Sequence, residues 1–201
     1  MTIIEAIILG IIQGLTEFLP ISSSGHLVLS QVILRIQIPG NDFEVLLHIG
    51  TLCSILFVFN NDIKNILFTL SSQKTQKFIL MIFVGTIPAV IVGLGLNDGI
   101  ERLFDDVIVV GFALVFTGIT LIASFYFRSS NQKNTIIKAC LIGIAQAIAI
   151  IPGISRSGIT ISFALFLGLD ARQAAKFSFL LAIPVISLSL IHISEPTRLR
   201  H

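Results

Sequence analysis

Gln13-Gly-Leu-Thr-Glu17-Phe-Leu-Pro20-Ile-Ser22-Ser23-Ser24-Gly25-His26 is the stretch that decides the fold. Apolar sequence flanks it, yet it packs a carboxylate, an amide, three consecutive serines, an imidazole and two glycines around a proline. Lipid tolerates that mixture only where it meets water or a polar partner. A second stretch answers it: Gln146-Ala-Ile-Ala-Ile-Ile-Pro152-Gly153-Ile-Ser155-Arg156-Ser157-Gly158-Ile-Thr160. At an offset of 133, Gly10, Gln13, Ile21, Ser22, Ser24 and Gly25 match Gly143, Gln146, Ile154, Ser155, Ser157 and Gly158. One step further on, Phe43, Leu46, Leu47 and Ile49 match Phe177, Leu180, Leu181 and Ile183. The chain is therefore read as two copies of one unit.

Composition sets the class. Of the 201 residues, 54% are hydrophobic and 12% charged, and the mean hydropathy is +0.97. This is an all-α, polytopic membrane protein. A net charge of +2, with no basic run carrying interleaved aromatics, gives no reason to expect nucleic acid. Cys53 and Cys140 sit inside apolar segments and read as small packing residues. Phe residues scattered through the spans read as lipid-facing bulk. The start lacks a basic n-region, so no cleavable signal peptide is expected.

Four apolar segments approach the roughly 20 residues a spanning helix needs: about 43–60, 78–97, 107–127 and 172–191. Two more are broken by the polar stretches, 2–19 with 26–36 and 136–151 with 158–168, and read as re-entrant helical hairpins. Lys64, Lys74 and Lys77 mark the 60–77 loop, Arg128, Lys133 and Lys138 the next, and Arg172 and Lys176 open the last segment. Between them Asp98, Glu101, Asp105 and Asp106 make 98–106 acidic. The positive-inside rule puts the basic segments in the cytoplasm and 98–106 outside. The two hairpins then enter from opposite faces, an inverted repeat whose polar tips meet near the bilayer midplane. Residues 1–187 are expected to form one membrane domain, with repeat 1 at about 1–127 and an incomplete repeat 2 from about 136.

Each tip leads a Ser/Gly-rich turn into a helix N-terminus, where free N–H groups and the helix dipole favour an anion. Gly25, Gly153 and Gly158 let the backbone approach a ligand. Ser22, Ser23, Ser24, Ser155, Ser157 and Thr160 offer short donors, and Arg156 offers a planar fork for phosphate oxygens. The plainer reading makes some of these serines caps and pairs Arg156 with Glu17 structurally. Glu17 and His26, nine apart across a break, share neither a helix face nor a metal spacing; lining a proton or ion path is the other reading of either. Glu44 and His48 share a face near the external end and read as solvated, as do Asp98, Asp105 and Asp106.

The two stretches, with F-E-V-L-L-H-I-G-T at 43–51 and F-S-F-L-L-A-I-P at 177–184, closely resemble the undecaprenyl-diphosphate phosphatase family, also called the bacitracin-resistance protein family. The resemblance runs from residue 3 to about 187. It implies an integral enzyme of the bacterial plasma (inner) membrane that removes the terminal phosphate of undecaprenyl diphosphate, recycling the carrier for wall polymers. It implies a divalent cation, Mg²⁺ or Ca²⁺, and a site opening to the external side. By motif position, Glu17, Ser23, His26 and Arg156 take catalytic roles, with His26 activating Ser23 or a water. Glu17 and Gln13 would hold the metal. Ser22, Ser24, Gly25, Gly153, Ser155, Ser157, Gly158 and Thr160 would bind phosphate. Gln13 stands where family members often carry Glu, which removes one carboxylate. The partners expected are the lipid substrate and the bilayer, with a homodimer as one arrangement open to it.

Family members continue through further apolar segments, counterparts of 78–97 and 107–127. Here Leu188-Ser-Leu-Ile-His-Ile-Ser-Glu-Pro-Thr-Arg198-Leu-Arg-His201 reads like a translated sequencing adapter, so 188–201 is expected to be a non-native tail. A lipid-phosphate transporter built on the same cradle is the main alternative, and a proton or ion channel using Glu17, His26 and Arg156 the next. Simple binding needs no base, which favours chemistry, and a channel leaves the doubled Ser-x-Ser-Gly unexplained.

Overall fold

The computed structural model describes residues 2–36, 42–95, 106–127 and 132–194, all helix and short turns, with no strand among them. Asp98, Glu101, Asp105, Arg128 and residues 195–201 lie outside the described residues.

Local chemistry marks the helix starts. Helix α1 (Ile3–Phe18) opens on a capping box: Thr2 accepts from the Glu5 amide, and the Glu5 carboxylate accepts from Thr2 N–H. Ser22 caps α2 (Ser23–Leu34). Helix α3 (Asp42–Val58) runs into α4 (Asn60–Phe68) through a 67° bend. Helices α5 (Gln73–Gly95) and α6 (Val107–Phe125) follow, the latter capped by Asp106. Thr135 caps α7 (Ile136–Ile148), Ser155 caps α8 (Arg156–Phe166), and α9 (Ala171–Ser194) ends the described chain. Helix α9 thus runs seven residues into the 188–201 segment.

Gln73–Gly95, Val107–Phe125 and Ala171–Leu190 are each long and apolar enough to cross a membrane, and the bent α3–α4 pair makes a fourth candidate. One correction concerns 60–77, read above as a loop. Its first half is α4, which the charged and apolar residues wrap as an amphipathic turn-and-a-half of helix plus one more turn, leaving Phe68 exposed. The broken segments form short helix pairs, α1 on α2 and α7 on α8, with the polar stretches at the breaks.

Without a hydrophobic drive between helices in lipid, packing relies on small residues and polar ties. At the α5–α7 crossing a Cβ on Gly143 would lie 2.4 Å from the Gly85 carbonyl oxygen. Pro88 interrupts the hydrogen-bond ladder of α5 nearby, and Gln146 Nε2 donates to the Gly85 carbonyl (3.4 Å). Met81, Ile142, Leu169, Phe177 and Leu181 form the core beside that crossing.

All three basic segments gather at one end of the molecule. Lys176 pairs with Asp62, Phe78 meets Phe177 edge-on, and Phe127 meets Phe166. Lys138 Nζ donates to the Leu167 carbonyl (2.8 Å), holding the last turn of α8.

Candidate active site

The site lies where the two breaks touch. A Cβ on Gly25 would come within 3.1 Å of the Gly153 Cα, and one on Gly158 within 2.8 Å of the Pro20 carbonyl oxygen. Polar bonds cross the same seam: Gly153 N–H donates to Ser24 Oγ (3.4 Å), and Ser157 Oγ to the Glu17 carbonyl (3.4 Å).

The repeat recurs in local geometry. Ser22 Oγ accepts from Gly25 N–H at 3.2 Å and Ser155 Oγ from Gly158 N–H at 3.0 Å. Ser22 and Ser24 hydroxyls stand 3.4 Å apart, as do those of Ser155 and Ser157. The turns themselves differ. The second makes its left-handed step at Gly153, φ +93°. Its counterpart in the first tip is Pro20, whose ring fixes φ near about −65°, and the left-handed step falls instead on Ser22, φ 73°. A non-glycine residue held there is strained, and such strain concentrates at functional sites.

Helix α1 carries Gln13 and Glu17 one turn apart on its buried face, beside Leu9 and Thr16. The Glu17 carboxylate is the hub. Oε1 accepts from Arg156 Nη2 at 2.6 Å, and Oε2 accepts from the Ser23 hydroxyl and from Gln13 Nε2 (3.2 Å). Ser23 and Arg156 are equivalent positions, each the residue after its cap serine, so both first turns converge on one carboxylate. The pair is largely shielded, with side chains 15% and 10% exposed.

Two buried polar atoms here lack a hydrogen-bond partner among the described residues: Gln13 Oε1 and Arg156 Nη1. One is an acceptor and the other a cationic donor, as an anion accompanied by a cation would require. No three His, Cys, Asp or Glu side chains converge on a metal position among the described residues. Among the described side chains Glu17 is the one carboxylate at the seam, with both oxygens engaged, and these donors alone do not complete a metal cage. They would fit a hard cation that takes most of its oxygen ligands from a bound anion.

The remaining expected residues fall into two groups. Ser22, Ser24, Gly25, Gly153, Ser155, Ser157 and Gly158 line the seam, where Ser22 and Ser155 serve as caps. His26 is near, but its Nδ1 is bonded to the Ser22 carbonyl (2.7 Å), and the Ser23 hydroxyl goes to Glu17 rather than to His26. Thr160 lies apart. Fully buried, it bonds the Arg156 carbonyl (2.8 Å) and Ser178 Oγ (2.6 Å).

Two residues escaped the sequence reading, Thr51 and Thr117, and a third, His48, is read there as solvated. Thr51, buried on α3, accepts from Gln13 Nε2 (3.4 Å). His48, one turn before it, is half-buried and lies within electrostatic reach of Glu17, which corrects its assignment to a solvated face. The F-E-V-L-L-H-I-G-T segment was the signal that pointed to both. Thr117, on α6, bonds the second tip, and no motif surrounds it.

The profile of the family described as Bacitracin resistance protein BacA matches residues 6–197. An Undecaprenyl-diphosphatase of Carboxydothermus hydrogenoformans is 44% identical over 185 residues, covering 90% of this chain and 69% of the relative. Those of Halothermothrix orenii and Christiangramia forsetii are each 45% identical, over 92% of this chain and 72% and 73% of their own lengths. A profile match over nearly the whole chain, which takes in both stretches whose breaks form the site, makes this chain a member of the Bacitracin resistance protein BacA family.

Proposed function

We propose that the chain is a membrane phosphatase that cleaves the terminal phosphate from undecaprenyl diphosphate, the substrate class in its relatives' names. The observation that carries this reading is the Glu17 carboxylate bridging Ser23 and Arg156 across the seam. A nucleophile bonded to a base, beside a guanidinium, is the arrangement phosphoryl transfer needs.

In this mechanism Arg156, through Nη1, binds the terminal phosphate, and the N–H groups opening α2 and α8 face its oxygens. Ser23 Oγ attacks the terminal phosphorus as its proton passes to Glu17; the anhydride P–O bond breaks and undecaprenyl phosphate leaves. Water then attacks the phosphoserine, giving inorganic phosphate and restoring the serine. His26 donates through Nδ1–H to the Ser22 carbonyl, which makes Nε2 its proton-accepting nitrogen for the water step. Catalysis comes chiefly from positioning and from charge stabilisation by Arg156. A divalent cation, Mg²⁺ or Ca²⁺, would be held by Gln13 Oε1 and Glu17 together with substrate oxygens. When bound it would offset negative charge on the diphosphate.

The clustering of the basic segments at one end supports a cytoplasmic face there and a site reached from the external side of the plasma membrane. The test is phosphate release from undecaprenyl diphosphate by detergent-solubilised protein with Mg²⁺, with Arg156→Ala alongside. Release that falls at least about 100-fold in the variant, to a small but measurable residue, is expected. Binding of the lipid without any release would instead make the protein a lipid-phosphate carrier.

A further inference from the structure

Thr117 sits in the middle of α6, outside both motifs. Hydroxyls in these helices mostly turn back on their own backbone: Thr16 donates to the Ile12 carbonyl, Thr86 to Ile82 and, on the same helix as Thr117, Thr120 to Phe116. That is the ordinary way a hydroxyl is satisfied inside a membrane helix. Thr117 departs from it. Its side chain is buried at 2% exposure, and Oγ1 donates to the Gly153 carbonyl (3.1 Å) while accepting from Ser155 N–H (3.0 Å). One hydroxyl thus spends both its donor and an acceptor site on the backbone of another segment.

The two bonds flank the sharpest part of the second tip. Gly153 makes the left-handed step, and Ser155 is the cap immediately before Arg156. The rest of that α6 face supports the same turn: a Cβ on Gly153 would strike the Val110 carbonyl oxygen at 2.6 Å and Ala113 Cβ at 2.8 Å, while one on Gly25 would strike Leu114 Cδ2 at 2.9 Å. Residues 110, 113, 114 and 117 share one helix face, so α6 is the floor beneath both tips. From the other side, Thr160 donates to the Arg156 carbonyl and Ser178 bonds Thr160. The backbone of Arg156 is therefore fixed just before its N–H by Thr117 and at its C=O through α9.

We propose that Thr117 is a positioning residue for the reaction, setting the Arg156 guanidinium through the backbone of the second tip. The proposal rests on the phosphatase reading for its kinetic arm only. Thr117→Val keeps the shape and strips the hydroxyl, leaving the Gly153 carbonyl and the Ser155 amide buried without partners; Thr117→Ser keeps both bonds. Because Arg156 acts most on the transferring phosphoryl group, displacing it lowers kcat more than it raises KM.

The experiment uses the full chain in detergent, with Thr120→Val as a same-helix control. Thr117→Val is expected to lower kcat by about 10- to 100-fold with KM changed by less than about threefold. Thr117→Ser and Thr120→Val should stay within about threefold of the starting enzyme. In an Arg156→Ala background, Thr117→Val should cost less than about twofold more, since residues acting as one unit are not additive. Amide hydrogen exchange gives an arm free of catalysis: Thr117→Val, and not Thr117→Ser, should speed exchange across residues 154–158. Undiminished kcat in Thr117→Val, an equal loss with and without Arg156, or unchanged exchange would overturn the proposal. Faster exchange in a protein that releases no phosphate would retain the positioning role and sink the phosphatase reading.

Discussion

In the structure Glu17 holds Nη2 of Arg156 as an anion would, so a phosphate arriving at the unpartnered Nη1 shares the guanidinium charge with it and competes for that charge. Glu17→Gln tests that exchange, because it keeps the side-chain shape and removes the charge. Removing one partner of a buried ion pair costs about 3–5 kcal/mol, mostly from the charge left alone. The glutamine oxygen remains as a neutral acceptor for the guanidinium, and the 15% exposure of Arg156 admits some screening, so about 2 kcal/mol of unmet charge is a fair figure. A phosphate that binds the variant recovers it, which at 1.36 kcal/mol per tenfold is roughly 30-fold tighter binding. Turnover should move the other way, falling about 10²- to 10⁴-fold as the Ser23 proton loses its acceptor. Calorimetric titration with a methylene-bridged prenyl diphosphonate, in chelator so that no cation contributes, reads the first effect; phosphate release reads the second. Equal or weaker binding by the variant would refute the competition, whatever happened to the rate.

Five further substitutions follow from the geometry. Ser23→Ala should reduce phosphate release at least about 100-fold; near-normal turnover would exclude the phosphoserine route and leave direct water attack. Gly143→Ala drives a methyl to 2.4 Å from the Gly85 carbonyl and should destabilise by about 1–3 kcal/mol in a detergent unfolding assay, whereas its repeat mate Gly10, with nothing within 4 Å, should accept alanine unchanged. Gly153→Ala combines a left-handed φ with the Val110 contact, and a loss of about 2–4 kcal/mol in stability is expected. Asp62→Asn removes the partner of Lys176, but the side chains are 35% and 45% exposed, so a change under about 1 kcal/mol in the same assay is expected.

Much of this was legible in the chain because lipid makes polar residues conspicuous. Glu17, Arg156 and the doubled Ser-x-Ser-Gly stand out against apolar neighbours, and each Ser-Gly spacing is a helix cap whose bond was visible in the text. The spans at 73–95, 107–125 and 171–190 declare themselves by length alone. Helix α4 did not, since its nine residues mix charged and apolar side chains much as a loop does. The carboxylate that meets Ser23 was also hidden: His26 is nearer in sequence, but the break turns its ring to the Ser22 carbonyl. Thr51 and Thr117 were out of reach for a general reason. A threonine in an apolar helix ordinarily bonds its own backbone, and only the third dimension reveals one that does not.

The two copies build nearly the same cap, yet the groups that carry the proposed chemistry stand where they differ. The position after the cap is Ser23 in one and Arg156 in the other, and the counterparts of Glu17 and His26 in the second copy are Ile150 and Ile159. Strict symmetry would have set two carboxylates face to face across the seam, a like-charge pair in a medium that screens poorly. With one carboxylate and one guanidinium the charges compensate while the site is empty of ligand, and they become separable when an anion enters. Gln13 and Gln146 show the same divergence at a smaller scale. Each is buried with its Oε1 unpartnered among the described residues, but Gln146 Nε2 serves the Gly85 carbonyl beside the Pro88 break, a purely architectural task, while Gln13 Nε2 holds Glu17 and Thr51. Duplication supplies the paired helix ends, and in the proposed mechanism substitution at three or four positions on one side turns a repeated anion cradle into a single directed site.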